Sequence, residues 1–188
     1  MNKAHLQFCS SAEWADAVRK WIIPGALNGV DLGDHVLEVG PGPGRTTEIL
    51  KDMAPRLTAV EIDRDLAHAL GARLGGNRSN VTVVQGDGTR LPFPDGVFAS
   101  AVSFTMLHHV PTVELQDMLL AEVRRVLRPG AVFAGVDSRD SEDFRQLHVD
   151  DICMPLSPDT IVERLERAGF RNPQLDPNEY VIQFRAVR

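Results

Sequence analysis

Apolar positions along the chain fall into two rhythms. Short apolar runs bounded by glycine, proline or aspartate predict strands, and stretches with apolar residues three and four apart predict amphipathic helices. The first strand is expected at His35-Val36-Leu37-Glu38-Val39 and runs straight into Gly40-Pro41-Gly42-Pro43-Gly44. A helix should follow, with Ile49, Leu50 and Met53 on its apolar side. Further strands are expected at Leu57 to Ile62, Val81 to Val84, Val97 to Phe104 and Ala131 to Val136. Helices are expected between them. One spans about Asp63 to Leu74, with Leu66, Ala69, Leu70 and Leu74 as its face. The clearest carries Leu115, Met118, Leu119, Val123, Val126 and Leu127, and Pro129-Gly130 should stop it. Its acidic residues come early (Glu114, Asp117) and its arginines late (Arg124, Arg125, Arg128), which suits the helix dipole.

The ends read differently. Ser10-Ser11-Ala12-Glu13 has the form of a capping box, and Trp14, Val18, Trp21 and Ile22 then recur at helical spacing. Pro24 fits the first turn of a further short helix. This lead-in is either a lid or a helix packed on the sheet. Residues 138–156 are polar and irregular. Ser157 with Pro158 opens a last helix over Ile161, Val162, Leu165 and Ala168, closed by Gly169. The tail alternates, with Ile182, Phe184 and Ala186 on one face, and predicts an antiparallel strand with a hairpin partner near Gln174-Leu175. Strand and helix in alternation make this an α/β chain with a mostly parallel sheet.

Composition narrows the classes. With 188 residues, 43% hydrophobic and 24% charged, the chain has the apolar content for one packed domain and is neither disordered nor collagen-like. No apolar run approaches the ~18 residues of a membrane span. The net charge is −6, from 20 basic and 26 acidic residues, so the broad basic footprint of a phosphate-backbone binder is missing. Cys9 and Cys153 stand apart without a CxxC, which predicts reduced thiols rather than a disulfide framework or a zinc ribbon. No signal-peptide pattern is visible, and a cytoplasmic location is expected.

The chemistry concentrates at predicted strand ends. Gly40, Gly42 and Gly44 lie between an apolar strand and a helix, where a backbone without Cβ can approach a ligand closely and the helix N-terminus offers free N–H groups. A dinucleotide fingerprint would need glycine at position 45, which is Arg45. Glu61 ends the second strand, 21 positions after Gly40, where a carboxylate can accept both hydroxyls of a ribose. Asp87 follows the third strand, and it suits an exocyclic amine such as that of adenine, with the Gly88 N–H beside it. Ser103 falls near the end of the fourth strand. Four such features at the carboxyl edge of one parallel sheet mark a ligand site.

VLEVGPGPG, AVEID, VVQGDGTRLPFPDGVF, AVSFTMLHHV and LLAEVRRVLRPGAVF resemble successive motifs of class I S-adenosylmethionine-dependent methyltransferases, within the small-molecule type 11 group. The resemblance covers roughly residues 32 to 137. It implies a Rossmann-like, doubly wound sheet of about seven strands, mostly parallel with the last antiparallel, and helices on both faces. It divides the chain into a helical lead-in (1–31), a cofactor-binding core (32–137), a polar flap (138–156) and a terminal helix with hairpin (157–188). The implied cofactor is S-adenosyl-L-methionine. Gly40-Pro41-Gly42, with Gly44 completing the glycine pattern, would lie under its methionine part, supported by Glu38. Glu61 would hold the ribose, Ile62 would pack on the adenine, and Asp87 and Gly88 would meet the adenine edge. Ser103 and Phe104 would offer carbonyls to the ammonium group.

Methyl transfer from a sulfonium is a displacement that needs a base only when the acceptor carries a proton that must leave. His108 and His109 follow the fourth strand, and His109 is the candidate base. Adjacent histidines are poorly placed to chelate one ion, and His148, Asp150, Asp151 and Cys153 lie in a polar flap made acidic by Asp137, Asp140, Glu142 and Asp143, so no metal site is expected. GPGPG with AVEID also resembles the adenine dimethyltransferases of ribosomal RNA, but Ser103-Phe104-Thr105-Met106 stands where those enzymes carry an Asn-Leu-Pro-Tyr type motif. A nicotinamide-dependent oxidoreductase would share Glu61 but not Asp87. A scaffold on the same fold would keep the sheet and lose the pocket. The expected partner is a small-molecule methyl acceptor, not nucleic acid or membrane. The stretch between the fifth strand and the last helix is short for a substrate cap, which leaves the acceptor site open or completed by a second copy.

Overall fold

The computed structural model describes all 188 residues. Its seven strands are β1 (Val36–Val39), β2 (Leu57–Glu61), β3 (Val81–Gln85), β4 (Phe98–Phe104), β5 (Leu127–Ser138), β6 (Arg171–Pro177) and β7 (Val181–Val187). Its α-helices are α1 (Lys3–Cys9), α2 (Ala12–Ala17), α3 (Ile23–Leu27), α4 (Thr47–Leu50), α5 (Arg64–Leu74), α6 (Val113–Val126), α7 (Glu142–Leu147) and α8 (Pro158–Arg167). The sheet order is β3-β2-β1-β4-β5-β7-β6, with β7 antiparallel to both neighbours and the other pairs parallel. This is the doubly wound sheet expected from the sequence. The chain runs outward from β1 to β3 and then returns to β4 on the other side of β1, which opens a crevice at the carboxyl ends of β1 and β4.

The strands are apolar on both sides because both sides are covered. Every residue of β1 and β2 is buried. Along β1 the alternation sends Leu37 and Val39 into one apolar cluster and Val36 into the other. Burying a leucine or valine fully contributes roughly 1.5–3 kcal/mol, so a strand packed on two faces offsets much of its ordering cost. In β7 the expected face of Ile182, Phe184 and Ala186 is buried. Helix caps follow side-chain chemistry. Thr112 Oγ1 accepts from the Leu115 N–H at 3.2 Å and opens α6. Thr112→Ala is expected to lower the unfolding free energy by about 1 kcal/mol, seen as a lower urea midpoint with an unchanged slope.

Several expectations shift. Ser11, not Ser10, caps α2, its Oγ accepting from the Trp14 N–H at 3.0 Å. A π-helical segment at Val18–Ile22 then joins α2 to α3, with the Ile23 N–H reaching back five residues to the Val18 carbonyl. The wider turn breaks the 3.6-residue rhythm, so Val18 is buried while Trp21 is 73% exposed. α4 is only four residues long, and Met53 lies past it in solvent. Met118 of α6 is exposed as well. β5 begins at Leu127, before Pro129-Gly130, and the register jumps from Phe98↔Leu127 to Ser100↔Val132. A proline cannot donate to the ladder, so the pair sits at an irregularity rather than outside the strand. The polar flap holds α7, capped by Ser141 through the Phe144 N–H. No helix is long and apolar enough to cross a membrane.

Candidate functional site

A cavity of about 470 Å³ opens at the switch point between β1 and β4. Its floor is the glycine loop. Gly40 has φ +70°, and a Cβ there would meet Met106 Cγ at 2.0 Å. The Met106 side chain therefore lies directly over this glycine, and no larger residue fits. Pro41 and Gly42 line the cavity beside it, whereas Gly44 does not; a Cβ on Gly44 would strike Leu70 of α5.

Glu61 joins the loop to the end of β2. Its Oε2 accepts from the Gly42 N–H at 2.9 Å and its Oε1 from the Asp63 N–H at 3.0 Å. Burial raises its pKa, and the Asp63 and Gly42 N–H groups oppose that rise. Ile62 is 66% exposed yet lines the cavity, an apolar side chain without a protein neighbour to cover it. Asp87 is exposed at the end of β3, and its Oδ1 accepts from both the N–H and the hydroxyl of Thr89 at 2.8 Å. Oδ2 stays available. Gly88 lines the same wall, where a Cβ would meet Leu119 at 2.9 Å.

Glu38 lies below the loop. It is fully buried at the end of β1, and the Thr46 hydroxyl donates to its Oε1. Oε2 has no partner. Burial, opposed by the Thr46 hydrogen bond, pushes its pKa up to about 7. Thr46 is the N-cap residue of α4, so this bond ties the strand before the glycine loop to the helix after it.

β4 ends differently from the sequence expectation. Ser103 is buried within the sheet, opposite Gly135 of β5, and does not line the cavity. Phe104 does, and so do Thr105 and Met106, which sequence reasoning passed over. Thr105 has φ +48°, a conformation strained for a β-branched residue by about 1–3 kcal/mol, and its N–H is anchored on the Val136 carbonyl at 2.7 Å. Such strain at a ligand crevice had no signal in the residue types.

The other end of the cavity is closed by the lead-in and the flap. Cys9, Trp14, Ile152 and Asp151 line it together with His109, Val110 and Leu115. The lead-in thus has two roles: its first helices wall the cavity, while Val18, Ile23, Ala26 and Leu27 pack against the sheet. Burial, helped by His108 and His5, lowers the His109 pKa to about 2, so its ring is neutral and weakly basic. The two adjacent histidines do not diverge: a 3₁₀ turn at Leu107–His109 sets their ring centroids 4.2 Å apart. Asp137 is not part of an exposed acidic flap. It is fully buried in β5, 2.5 Å from His108 Nδ1.

The profile of the methyltransferase domain family matches residues 37–135, more than half of the chain. The chain belongs to this family. A sterol 24-C-methyltransferase of Gibberella zeae is 30% identical over an alignment of 158 residues that covers 76% of this chain and 40% of that protein. The ribosomal RNA small subunit methyltransferase A of Parasynechococcus marenigrum is 40% identical over 99 residues, 51% of this chain and 32% of its own length. This methyltransferase domain therefore spans less than half the length of these relatives. A solved SAM dependent methyltransferase from Aquifex aeolicus superposes with a TM-score of 0.76 at 19% identity, covering 100% of this chain and 98% of that one, a likeness of fold.

S-adenosylmethionine, the cofactor implied by the family's motifs, fits this methyltransferase domain. A glycine-floored loop, a carboxylate at the end of β2, an Asp87 oxygen left over from the Thr89 contacts and an uncovered Ile62 all line one cavity.

Proposed function

We propose that this chain transfers the methyl group of S-adenosylmethionine to a small-molecule acceptor by direct displacement. The observation that carries the reading is the convergence of the glycine loop, Glu61 and Asp87 on one cavity at the switch point of the sheet. When bound, the sulfonium supplies an electrophilic methyl carbon, and its bond to sulfur breaks with the electron pair left on a neutral thioether.

The chain's own contribution is placement. Glu61, ordered by two backbone N–H groups, keeps lone pairs for two ribose hydroxyls. Asp87 offers Oδ2 to the adenine amine while Thr89 holds Oδ1, and Ile62 covers the ring. The β4 end at Phe104 and Thr105 receives the ammonium group. Holding donor and acceptor in line can by itself lower the barrier by about 7–11 kcal/mol.

The acceptor end is largely apolar, with Cys9, Trp14, Met106, Val110, Leu115 and Ile152 around it, which favours an acceptor with an apolar body. His109 is the histidine that lines this cavity, and its weak basicity favours an acceptor that is already nucleophilic and needs no proton removed before attack: a carboxylate or a neutral amine. The sterol relative supports an acceptor with an apolar body. The identity to the ribosomal RNA relative favours nucleic acid as a second reading, against which stand the net charge of −6 and Ser103-Phe104-Thr105-Met106 after β4.

Incubation with labelled S-adenosylmethionine and either a cell-derived small-molecule fraction or ribosomal RNA separates the two. Label in the organic-soluble fraction is expected. Label in RNA would replace the first reading by the second, and failure to bind the cofactor would overturn both. Asp87→Ala is expected to weaken cofactor binding by about 1.5–3 kcal/mol, or roughly 10- to 150-fold, in a calorimetric titration. Unchanged affinity would reject its adenine role.

A further inference from the structure

Four histidines from three distant parts of the chain share one buried space. His5 lies on α1, His108 and His109 on the 3₁₀ turn after β4, and His148 just past α7. One ring nitrogen from each lies within 4.8 Å of the others. His5, His108 and His148 are 5%, 1% and 3% exposed. In each of the four rings a nitrogen is buried with no hydrogen-bond partner: Nδ1 of His5 and Nε2 of His108, His109 and His148. Buried polar atoms are normally paired, and four rings in one cluster, each with an unpaired nitrogen, point to a shared partner.

The surroundings specify what that partner is. Asp137 Oδ1 sits 2.5 Å from His108 Nδ1, and the Phe144 carbonyl sits 2.6 Å from His148 Nδ1. Both oxygens can only accept, so both rings carry their proton on Nδ1 and turn an Nε2 lone pair inward. This is the arrangement that orients imidazoles toward a metal.

Two carboxylates flank the rings. Asp137 also takes the N–H groups of Ser138 (2.8 Å) and His108 (3.3 Å). Asp151 Oδ2 lies 3.8 Å from His5 Nδ1 and accepts from the Asn2 N–H, with the Met1 amino group 3.4 Å from its Oδ1. Two carboxylates beside the rings complement the charge of a divalent cation.

We propose that His5, His108, His109 and His148 bind one divalent first-row transition-metal ion, with Asp137 as the positioning residue behind His108. An all-imidazole set suits zinc and its neighbours and does not suit magnesium or calcium, which prefer oxygen. A tetrahedral set at Zn–N of about 2.0–2.1 Å needs the four nitrogens to draw together somewhat, which small ring rotations supply. The ion would pin α1 and the α7 flap to the end of β4, and so fix the wall of the cavity that carries His109 and Asp151. The inference stands on the histidine geometry and does not depend on which acceptor is methylated.

The test uses the full chain, stripped with a chelator and titrated with Zn²⁺ alone. One equivalent per chain is expected by calorimetry and elemental analysis, with a rise in melting temperature and no such effect of Mg²⁺. His5→Ala and His148→Ala, neither of which lines the cofactor cavity, should each weaken Zn²⁺ binding by about 100-fold or more, and Asp137→Asn by about 10- to 100-fold. Cys153→Ser and the exposed-site control His68→Ala should leave it unchanged. Should the histidine variants fail to fold, the Co²⁺ form of the wild type decides: an intense tetrahedral visible spectrum without a thiolate charge-transfer band is expected. Absence of stoichiometric Zn²⁺ binding, binding indifferent to both histidine substitutions, or a cobalt spectrum showing sulfur ligation would overturn the proposal.

Discussion

Glu61→Ala is expected to lower affinity for S-adenosylmethionine by about 150-fold or more, while circular dichroism and urea unfolding still report a folded sheet. The size follows from the double duty of one carboxylate. Its two oxygens hold the N–H groups of Gly42 and Asp63 at 2.9 and 3.0 Å, which fixes the glycine loop against the end of β2. The remaining lone pairs are those proposed to take two ribose hydroxyls. Each hydrogen bond to a charged group contributes about 1.5–3 kcal/mol, so losing both hydroxyl contacts costs about 3 kcal/mol or more before the loop loosens. The fold should survive because Glu61 is the last residue of β2, and the pairing of Leu57 to Val60 does not use its side chain. Glu61→Gln should fall between, since an amide keeps one accepting oxygen but turns an NH₂ toward a backbone donor. Calorimetry with S-adenosylmethionine, its demethylated product and NAD is the measurement. An affinity within threefold of wild type would remove the ribose role, and binding of NAD in place of the other two would revive the oxidoreductase.

Two residues that line the cavity share a physical property that the sequence carries. Glu61 and Asp87 follow apolar runs too short to be anything but strands, and a polar residue that ends such a run in a parallel sheet must emerge at its carboxyl edge. The strict alternation of Ile182, Phe184 and Ala186 left β7 only one face to bury. The misses share a property too. Trp21 is exposed because a π-helical segment changes the helical rhythm that would have placed it on the apolar face. Ser103 and Thr105 are two positions apart, yet one is sealed in the ladder and the other turns into the cavity at positive φ. Strand length to within one residue decides that, and residue type does not. The histidine cluster is a matter of tertiary closure. His5 and His148 are 143 positions apart and meet with ring centroids 4.3 Å apart because α1 and α7 fold over the same end of β4. A local spacing rule has no access to such a pair, nor to the 3₁₀ turn that brings the neighbouring rings of His108 and His109 together.

Stability of the chain should fall relative to Glu38→Gln as the pH rises from about 4.5 to above 7. Glu38 is buried at the end of β1 with a pKa of about 7, against 4.5 for an ordinary glutamate. Between those values the folded chain holds a proton that the unfolded chain has released, so the slope of unfolding free energy against pH is negative. Below about pH 4.5 both states are protonated and the group costs nothing. Above pH 7 the folded state carries a buried carboxylate, and the accumulated loss is about 3 kcal/mol, from 1.36 kcal/mol per pKa unit. The glutamine variant keeps the acceptor for the Thr46 hydroxyl and places its NH₂ where Oε2 already lacks a partner, so its cost is the same at every pH. The difference between the two urea-unfolding curves across pH therefore isolates the Glu38 proton. A gap that closes or reverses toward high pH is the expected result, and parallel profiles would mean that Glu38 titrates alike folded and unfolded. Through the Thr46 hydroxyl the Glu38 side chain closes the glycine loop from beneath, and Glu38→Gln, which keeps that acceptor, should leave the loop, and with it cofactor affinity at pH 6, close to wild type.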